Sequence, residues 1–227
     1  VSGPLRPSVG DAAWSNVYQI QFAFGFVVMI AVFLLVRHQQ TAPSGGGGLG
    51  GFSALQRMRG WLPLILAYTC FGFMYLLVLG FLTTRLEDDS GWTSANASWA
   101  FSLLGLSMIF GGPLFTTMAQ RLGVRFALIF AFGLWPVFSL IVLTGLALPV
   151  FLACVGIGFL FSALPSLITL YVVENTTAGD YGASFAAATL VFGVAQMISP
   201  PIGGWIADAA GSFTLVFLLS AVTSVIG

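Results

Sequence analysis

The chain has 227 residues, of which 58% are hydrophobic and 6% charged, with a mean hydropathy of +1.02 and a formal net charge of zero. A soluble domain carries about 25% charged residues, so a chain this poor in charge cannot cover a water-facing surface, and its solvent is the lipid bilayer. The charge balance excludes nucleic acid as a partner. One histidine, His38, and two cysteines inside apolar runs, Cys70 and Cys154, leave no ligand set for a metal, no cofactor and no catalytic triad.

In chain order, residues 1–16 form an extracytoplasmic loop without the apolar core of a signal peptide. Seven apolar runs follow, at roughly 17–36, 61–82, 95–117, 126–146, 149–173, 183–206 and 212–227. Each but the last has the length of about 20 residues that a membrane helix needs. The runs are continuous rather than alternating, which predicts helices and not barrel strands. Residues 37–60 read as a glycine-rich linker with its core at 41–53, TAPSGGGGLGGFS, so one span precedes the linker and six follow it. All seven basic residues are arginine. Arg37, Arg57, Arg59, Arg121 and Arg125 fall on one side of the alternating connections, while Arg6 and Arg85 fall on the other. The positive-inside rule puts the larger group in the cytoplasm. The chain starts at Val1 and stops at Gly227 inside an apolar run, which reads as the later part of a longer protein.

The stretch GGPLFTTMAQRLGVR, Gly111 to Arg125, ends one span and begins the next. Small residues let helices approach closely, the glycine permits a tight turn, and arginines anchor at headgroups. The stretch has an echo. Pro113 and Pro201, Ala119 and Ala207, and Gly123 and Gly211 each stand 88 residues apart. That offset covers three spans, an odd number, so the two copies face opposite sides of the membrane. This is the pattern of an inverted three-plus-three repeat.

With these residues the chain resembles the major facilitator superfamily, in a bacterial form. Arg121-Leu-Gly-Val-Arg125 resembles the loop between the second and third helix of each half in that family. Phe192 to Asp208, with its small residues and paired prolines, resembles the family's eleventh helix. The resemblance implies an all-α membrane protein of about seven transmembrane helices: helix six at 17–36 and the C-terminal six-helix half of a twelve-helix fold at 61–227. It implies a multi-pass protein of the bacterial inner membrane, whose partners are the lipid bilayer, an N-terminal half outside this sequence and a small-molecule substrate. It also implies a conformational loop of Gln120, Arg121, Gly123 and Arg125. Here Gln120 stands where the family has an acid and Thr116 where it has a glycine, so a latch at this loop is weaker or is completed by the other half.

No ionisable residue lies at the centre of any span, so the interior offers aromatic and neutral polar groups only. Tyr68, Phe71 and Tyr75 recur at helical spacing. Phe192 and Gln196 lie one turn apart. Ser162 and Ser166 share a helix face with Thr169, and Trp99 and Ser102 sit near a helix start. By the resemblance, Tyr68, Phe71, Tyr75, Trp99, Ser162, Ser166, Phe192 and Gln196 are candidates to line the substrate cavity. Each also admits a structural reading: buried tyrosines bond neighbouring backbone, helical serines bond their own carbonyls, and a glutamine joins helices. Glu87-Asp-Asp89 reads as a solvated loop tip, and Asn96 as a helix cap. The function implied is secondary transport. Seven spans starting outside also suit a seven-helix receptor or sensor, although a retinal-binding one needs a lysine, which this chain lacks. A membrane enzyme needs polar groups converging at one depth, and none are apparent.

Overall fold

The computed structural model describes residues 13–35 and 50–227, and every regular element among them is helical. In chain order these are α1 (Ala13–Leu35), α2 (Gly50–Arg57), α3 (Trp61–Thr84, continued by a π-helical turn, Arg85–Asp89), α4 (Ser94–Leu122), α5 (Val124–Leu143), α6 (Ala147–Asn175), α7 (Tyr181–Ala210) and α8 (Thr214–Ile226). Five of them, α3 to α7, are long and apolar enough to cross a bilayer. The apolar stretches Tyr18–Leu34 and Thr214–Ile226 are shorter. The side chains of α1 from 18 to 34 are exposed almost throughout, and no other described helix packs along it.

Several helices overrun their apolar windows. The run at 95–117 becomes a helix of 29 residues, Ser94–Leu122, and α7 has 30. Hydropathy marks only the stretch that lies in hydrocarbon, whereas backbone hydrogen bonding continues into the headgroup region. Local signals fix the ends. The Thr93 side chain accepts from the Asn96 backbone N–H at 3.3 Å, so the cap of α4 is Thr93 and not Asn96. Gly123 (φ 91°) and Gly211 (φ 64°) hold the positive φ that the turns after α4 and α7 require.

The glycine-rich segment differs from its sequence reading at its C-terminal part. Residues 50–57 form α2, a helix packed on α7, rather than flexible linker. Leu55 is fully buried there, and Gly51 lies so close to the Ala183 carbonyl that a Cβ would come within 2.9 Å of it. Residues 36–49 lie outside the described ones.

Helices α3 to α8 form one bundle whose contacts obey a pseudo-two-fold relation. The most extensive packing is α4 on α6, and its counterpart is α7 on α3. Likewise α5 on α6 corresponds to α8 on α3, and α5 and α8 pack on each other. Under this relation α3, α4 and α5 exchange with α6, α7 and α8. The relation holds for single residues. A Cβ on Gly72 would come within 2.7 Å of the Phe192 carbonyl, and one on Gly158 would overlap the Leu104 carbonyl. Gly72 and Gly158 are 86 residues apart, and Leu104 and Phe192 are 88 apart. Small residues are what let these backbones touch.

The two ends of the bundle are distinct. Arg57 pairs with Asp180, Gly60 abuts the Tyr171 hydroxyl, and Arg125 borders the same cleft as Gly60 and Tyr171, so these form an arginine-rich end. Asp89 bonds the Phe213 N–H at 2.8 Å, and the Trp92 indole donates to the Gly145 carbonyl at 2.9 Å, which defines an acidic end. The Gly123 turn is at the first end and the Gly211 turn at the second, as an inverted repeat requires.

Two predictions follow from this packing. On α4, Gly111→Ala places a Cβ against the Phe159 backbone, whereas Gly105 has open space. Gly111→Ala therefore destabilises the folded protein by about 1–3 kcal/mol through overpacking. Gly105→Ala is neutral or slightly stabilising because alanine favours helix. Thermal unfolding of the two variants in detergent reads the contrast.

The second concerns α2. Arg57 Nη2 lies 2.7 Å from Asp180 Oδ1. The hydrogen bond from Arg57 holds the Asp180 carboxyl below the usual carboxylate range, and the same contact raises Arg57. A depressed carboxylate contributes stability above its unfolded value and loses it as pH falls through the folded one. The pair thus persists at neutral pH and opens in acid below the ordinary aspartate value. Being exposed, it also weakens with salt. Hydrogen exchange of α2 amides rises under both conditions, and Asp180→Asn abolishes the pH dependence.

Candidate functional site

On α3 the spacing of Tyr68, Phe71 and Tyr75 puts all three rings on the side that faces α7. Phe192 of α7 stacks on Tyr68 with ring centroids 4.5 Å apart and on Phe71 at 5.6 Å. Phe71 meets Tyr75 edge-on at 5.5 Å, and Tyr75 meets Phe161 of α6 edge-on at 4.6 Å. Trp135 of α5 closes the cluster, 5.2 Å from Phe161 and 6.5 Å from Phe71. Edge-to-face and offset pairs of this kind add about 0.5–1.5 kcal/mol each beyond their buried area. The approach depends on Gly72, because any larger residue would push Phe192 away.

Burial sorts the cluster into two layers. Tyr68 and Phe71 are 4% and 1% exposed and pack inside this half. Tyr75 and Phe192 are half-buried at its edge. The Tyr68 hydroxyl faces Thr189 of α7. The Tyr75 hydroxyl and the Gln196 side-chain amide find no hydrogen-bond partner among the described residues. Gln196, half-buried like Tyr75, lies one helical turn beyond Phe192. In hydrocarbon an unpaired polar group costs several kcal/mol, so both groups belong against water, a second protein surface or a ligand.

The other sequence candidates lie elsewhere. Ser162 Oγ accepts from the Gly112 N–H at 2.9 Å, and Ser166 Oγ donates to the Ser162 carbonyl at 2.7 Å. The two serines thus sit in the seam between α4 and α6, where Gly111 and Gly112 let the helices meet. Thr169 and Ser102 donate to carbonyls of their own helices, Pro165 at 2.8 Å and Ser98 at 2.8 Å. Trp99 is 58% exposed near the start of α4, apart from the cluster. Gln120, Arg121 and Arg125 are exposed beside the Gly123 turn, and no side-chain hydrogen bond or ion pair engages them among the described residues.

Two features escape sequence reasoning. Trp135 and Phe161 complete the aromatic cluster, but with 22 phenylalanines nothing in the sequence singles out Phe161. The second is the acidic end. Within Glu87-Asp-Asp89, Asp88 and Asp89 are exposed as a loop tip is, but the Asp89 carboxylate is engaged by its neighbours. Arg85 is 5% exposed, and its Nη1 donates to Ser90 Oγ at 2.8 Å and its Nη2 to the Leu143 carbonyl at 3.2 Å. Its Nε lies 3.3 Å from Asp89, an ion pair without the alignment of a hydrogen bond. Asp89 Oδ2 accepts from Ser212 Oγ at 2.8 Å and from the Phe213 N–H at 2.8 Å. The π-helical turn brings these groups inward, and π-turns are only rarely legible in sequence.

A cleft of about 670 Å³ opens at the arginine-rich end between α3, α5, α6 and α8, lined by Gly60, Leu64, Arg125, Pro136, Tyr171 and Gly227 among others. Arg125 is the one candidate residue on its wall. Among the described residues no three His, Cys, Asp or Glu side chains converge to hold a metal.

A family model described as Major Facilitator Superfamily matches residues 64–227. Among solved structures, the chain is similar to the crystal structure of a variant of the E. coli fucose:proton symporter FucP, with a TM-score of 0.68 and 18% sequence identity over 94% of this chain and 53% of that one. The chain therefore spans about half the length of that protein. A search of curated proteins found no match. At this identity the likeness is one of fold, and it agrees with the exchange of α3–α5 with α6–α8. With the family model covering nearly all of that bundle, the chain belongs to the major facilitator superfamily.

Proposed function

We propose that this chain is the C-terminal half, with helix six attached as α1, of a secondary transporter in the bacterial inner membrane. The complete protein carries a small molecule across the bilayer by alternating access, in which this half rocks against an N-terminal half around a site near the midplane. The arginine-rich end faces the cytoplasm, in line with the positive-inside rule.

The observation that carries the reading is the pair of unpartnered polar groups, the Tyr75 hydroxyl and the Gln196 amide, at the edge of the aromatic cluster on α3 and α7. In this reading they are the part of the cavity wall contributed by this half. Phe192 and Tyr75 offer ring faces and edges to the cargo, Gln196 offers an amide NH₂ donor and a carbonyl acceptor, and Tyr68 and Phe71 support the rings from behind. Ser162, Ser166 and Trp99 remain candidates at the margin, with the serines reached only if the α4–α6 seam opens. The absence of ionisable side chains from the span centres favours recognition by stacking and neutral hydrogen bonds. A proton-carrying carboxylate, where coupling uses one, then sits on the other half. Gln120, Arg121 and Arg125 are left to bond the partner half or lipid headgroups, with Gly123 setting their turn. The receptor and enzyme readings have no comparable support.

The test is an uptake screen with the full-length protein in vesicles, followed by variants. Gln196→Ala and Tyr75→Phe each remove one hydrogen bond to cargo, worth about 1 kcal/mol, and weaken apparent affinity roughly fivefold. Phe192→Leu lowers uptake by removing the stacking face. A lipid-side control, Leu152→Ala, leaves transport unchanged. Wild-type affinity and rate in all three cluster variants would remove this wall from the site.

A further inference from the structure

The pseudo-two-fold relation makes the two ends of the bundle comparable position by position, and they are held together very differently. At the acidic end, the ion pair between buried Arg85 and Asp89 at the surface joins three turns. Arg85 bonds the end of α5 through the Leu143 carbonyl, at 3.2 Å, and its own turn through Ser90, at 2.8 Å. Asp89 bonds the start of α8 through Ser212 and the Phe213 N–H, both at 2.8 Å. Trp92 adds a hydrogen bond of 2.9 Å to the Gly145 carbonyl in the α5–α6 turn. Every helix of the bundle thus begins or ends within this network or at a turn that it bonds.

At the arginine-rich end the equivalent positions do no such work. The counterpart of Arg85, 86 residues on, is Tyr171, and that of Asp89 is Asn175. The Asn175 amide donates back to the Tyr171 carbonyl of its own helix at 2.9 Å. The counterparts of Ser212 and Phe213, 88 residues earlier, are Val124 and Arg125. Val124 has no polar side chain, and the exposed Arg125, Gln120 and Arg121 have no side-chain partner among the described residues. The one ion pair at this end among the described residues, Arg57 with Asp180, joins α2 to the α6–α7 turn and does not reach the α4–α5 turn.

From this contrast we infer that the half is stiff at one end only: the Arg85–Asp89 clamp fixes the acidic ends of all six helices as one cap, and internal motion is confined to the arginine-rich end, where the α4–α5 turn moves against its neighbours. Arg85 is buried, so parting it from Asp89 leaves an uncompensated charge, and the pair resists separation. The α4–α5 turn is held by the buried side chains of Ala119 and Val124 without a polar tie, so no such barrier opposes its movement. During transport the cap pivots as a rigid body, and adjustment within the half occurs at the end bearing Gln120 to Arg125. The inference concerns the stiffness of this half and does not depend on where cargo binds.

Pulsed electron paramagnetic resonance on the full-length protein in lipid tests it, with spin labels on exposed sites. One pair, Leu146 and Leu215, spans the α5–α6 and α7–α8 turns at the acidic end. The other, Leu122 and Glu174, spans the α4–α5 and α6–α7 turns at the opposite end. The expected result is a single narrow distance peak for the first pair and a broad or split one for the second. Asp89→Ala is expected to abolish the narrow peak of the first pair and leave the second unchanged. Arg85→Leu combined with Asp89→Ala, which strands no buried charge, gives the same loss if the single variant fails to fold. Equal widths for the two pairs in the unsubstituted protein would overturn the inference without any variant. So would a narrow first peak that survives in the double variant.

Discussion

The bundle depends on backbone meeting backbone at two symmetry-related crossings. At one, Gly72 of α3 admits the Phe192 carbonyl of α7; at the other, Gly158 of α6 admits the Leu104 carbonyl of α4. In lipid the hydrophobic effect does not drive apolar helices together, since the tails are as apolar as leucine, so association rests on dispersion and close fit. A crossing without side chains between the axes gives the closest fit available. It also explains why the α4–α6 and α3–α7 packings are the most extensive in the bundle. The remaining helices, α5 and α8, fill the flanks of these crossings. They are joined through the Trp135 indole to Ser220 at 2.9 Å and Ser224 to the Phe132 carbonyl at 2.7 Å.

The aromatic cluster follows from the first crossing. Once the α3 and α7 backbones touch at Gly72, the ring of Phe192 has nowhere to go but against Tyr68 and Phe71. The second crossing carries no such cluster because Leu104 replaces the phenylalanine. The two triplets therefore share a backbone plan and differ in chemistry, which leaves the unpaired polar groups of Tyr75 and Gln196 on one side only. The same divergence separates the ends, where one keeps an ion pair on the buried Arg85 and the other exposed arginines beside Gly123.

Much of this architecture was legible in the sequence. Mean hydropathy and the scarcity of charge dictate a membrane protein, because no other solvent tolerates such a surface. Apolar run length gives the spans, and the 88-residue echo from Pro113–Gly123 to Pro201–Gly211 gives the inverted relation, since turns demand glycine wherever the repeat places them. Helix ends were less legible, because hydropathy stops at the hydrocarbon boundary while hydrogen bonding does not. The helix at Gly50–Arg57 was hidden by its glycines: its helical state comes from packing Leu55 onto α7, and propensity argues against it.

The candidate site divides the same way. Sequence alone determined that the interior is neutral and aromatic, because a buried charge in lipid would stand out in the composition. It also determined that Tyr68, Phe71 and Tyr75 share a helix face, because that follows from 3.6 residues per turn. Only the tertiary structure decided that Phe192 meets them, that Ser162 and Ser166 belong to a helix seam, and that Asp89 pairs with a buried Arg85. Those outcomes depend on which helices cross and at what depth. In a chain where nearly every residue is apolar, periodicity cannot distinguish a face turned to lipid from a face turned to protein.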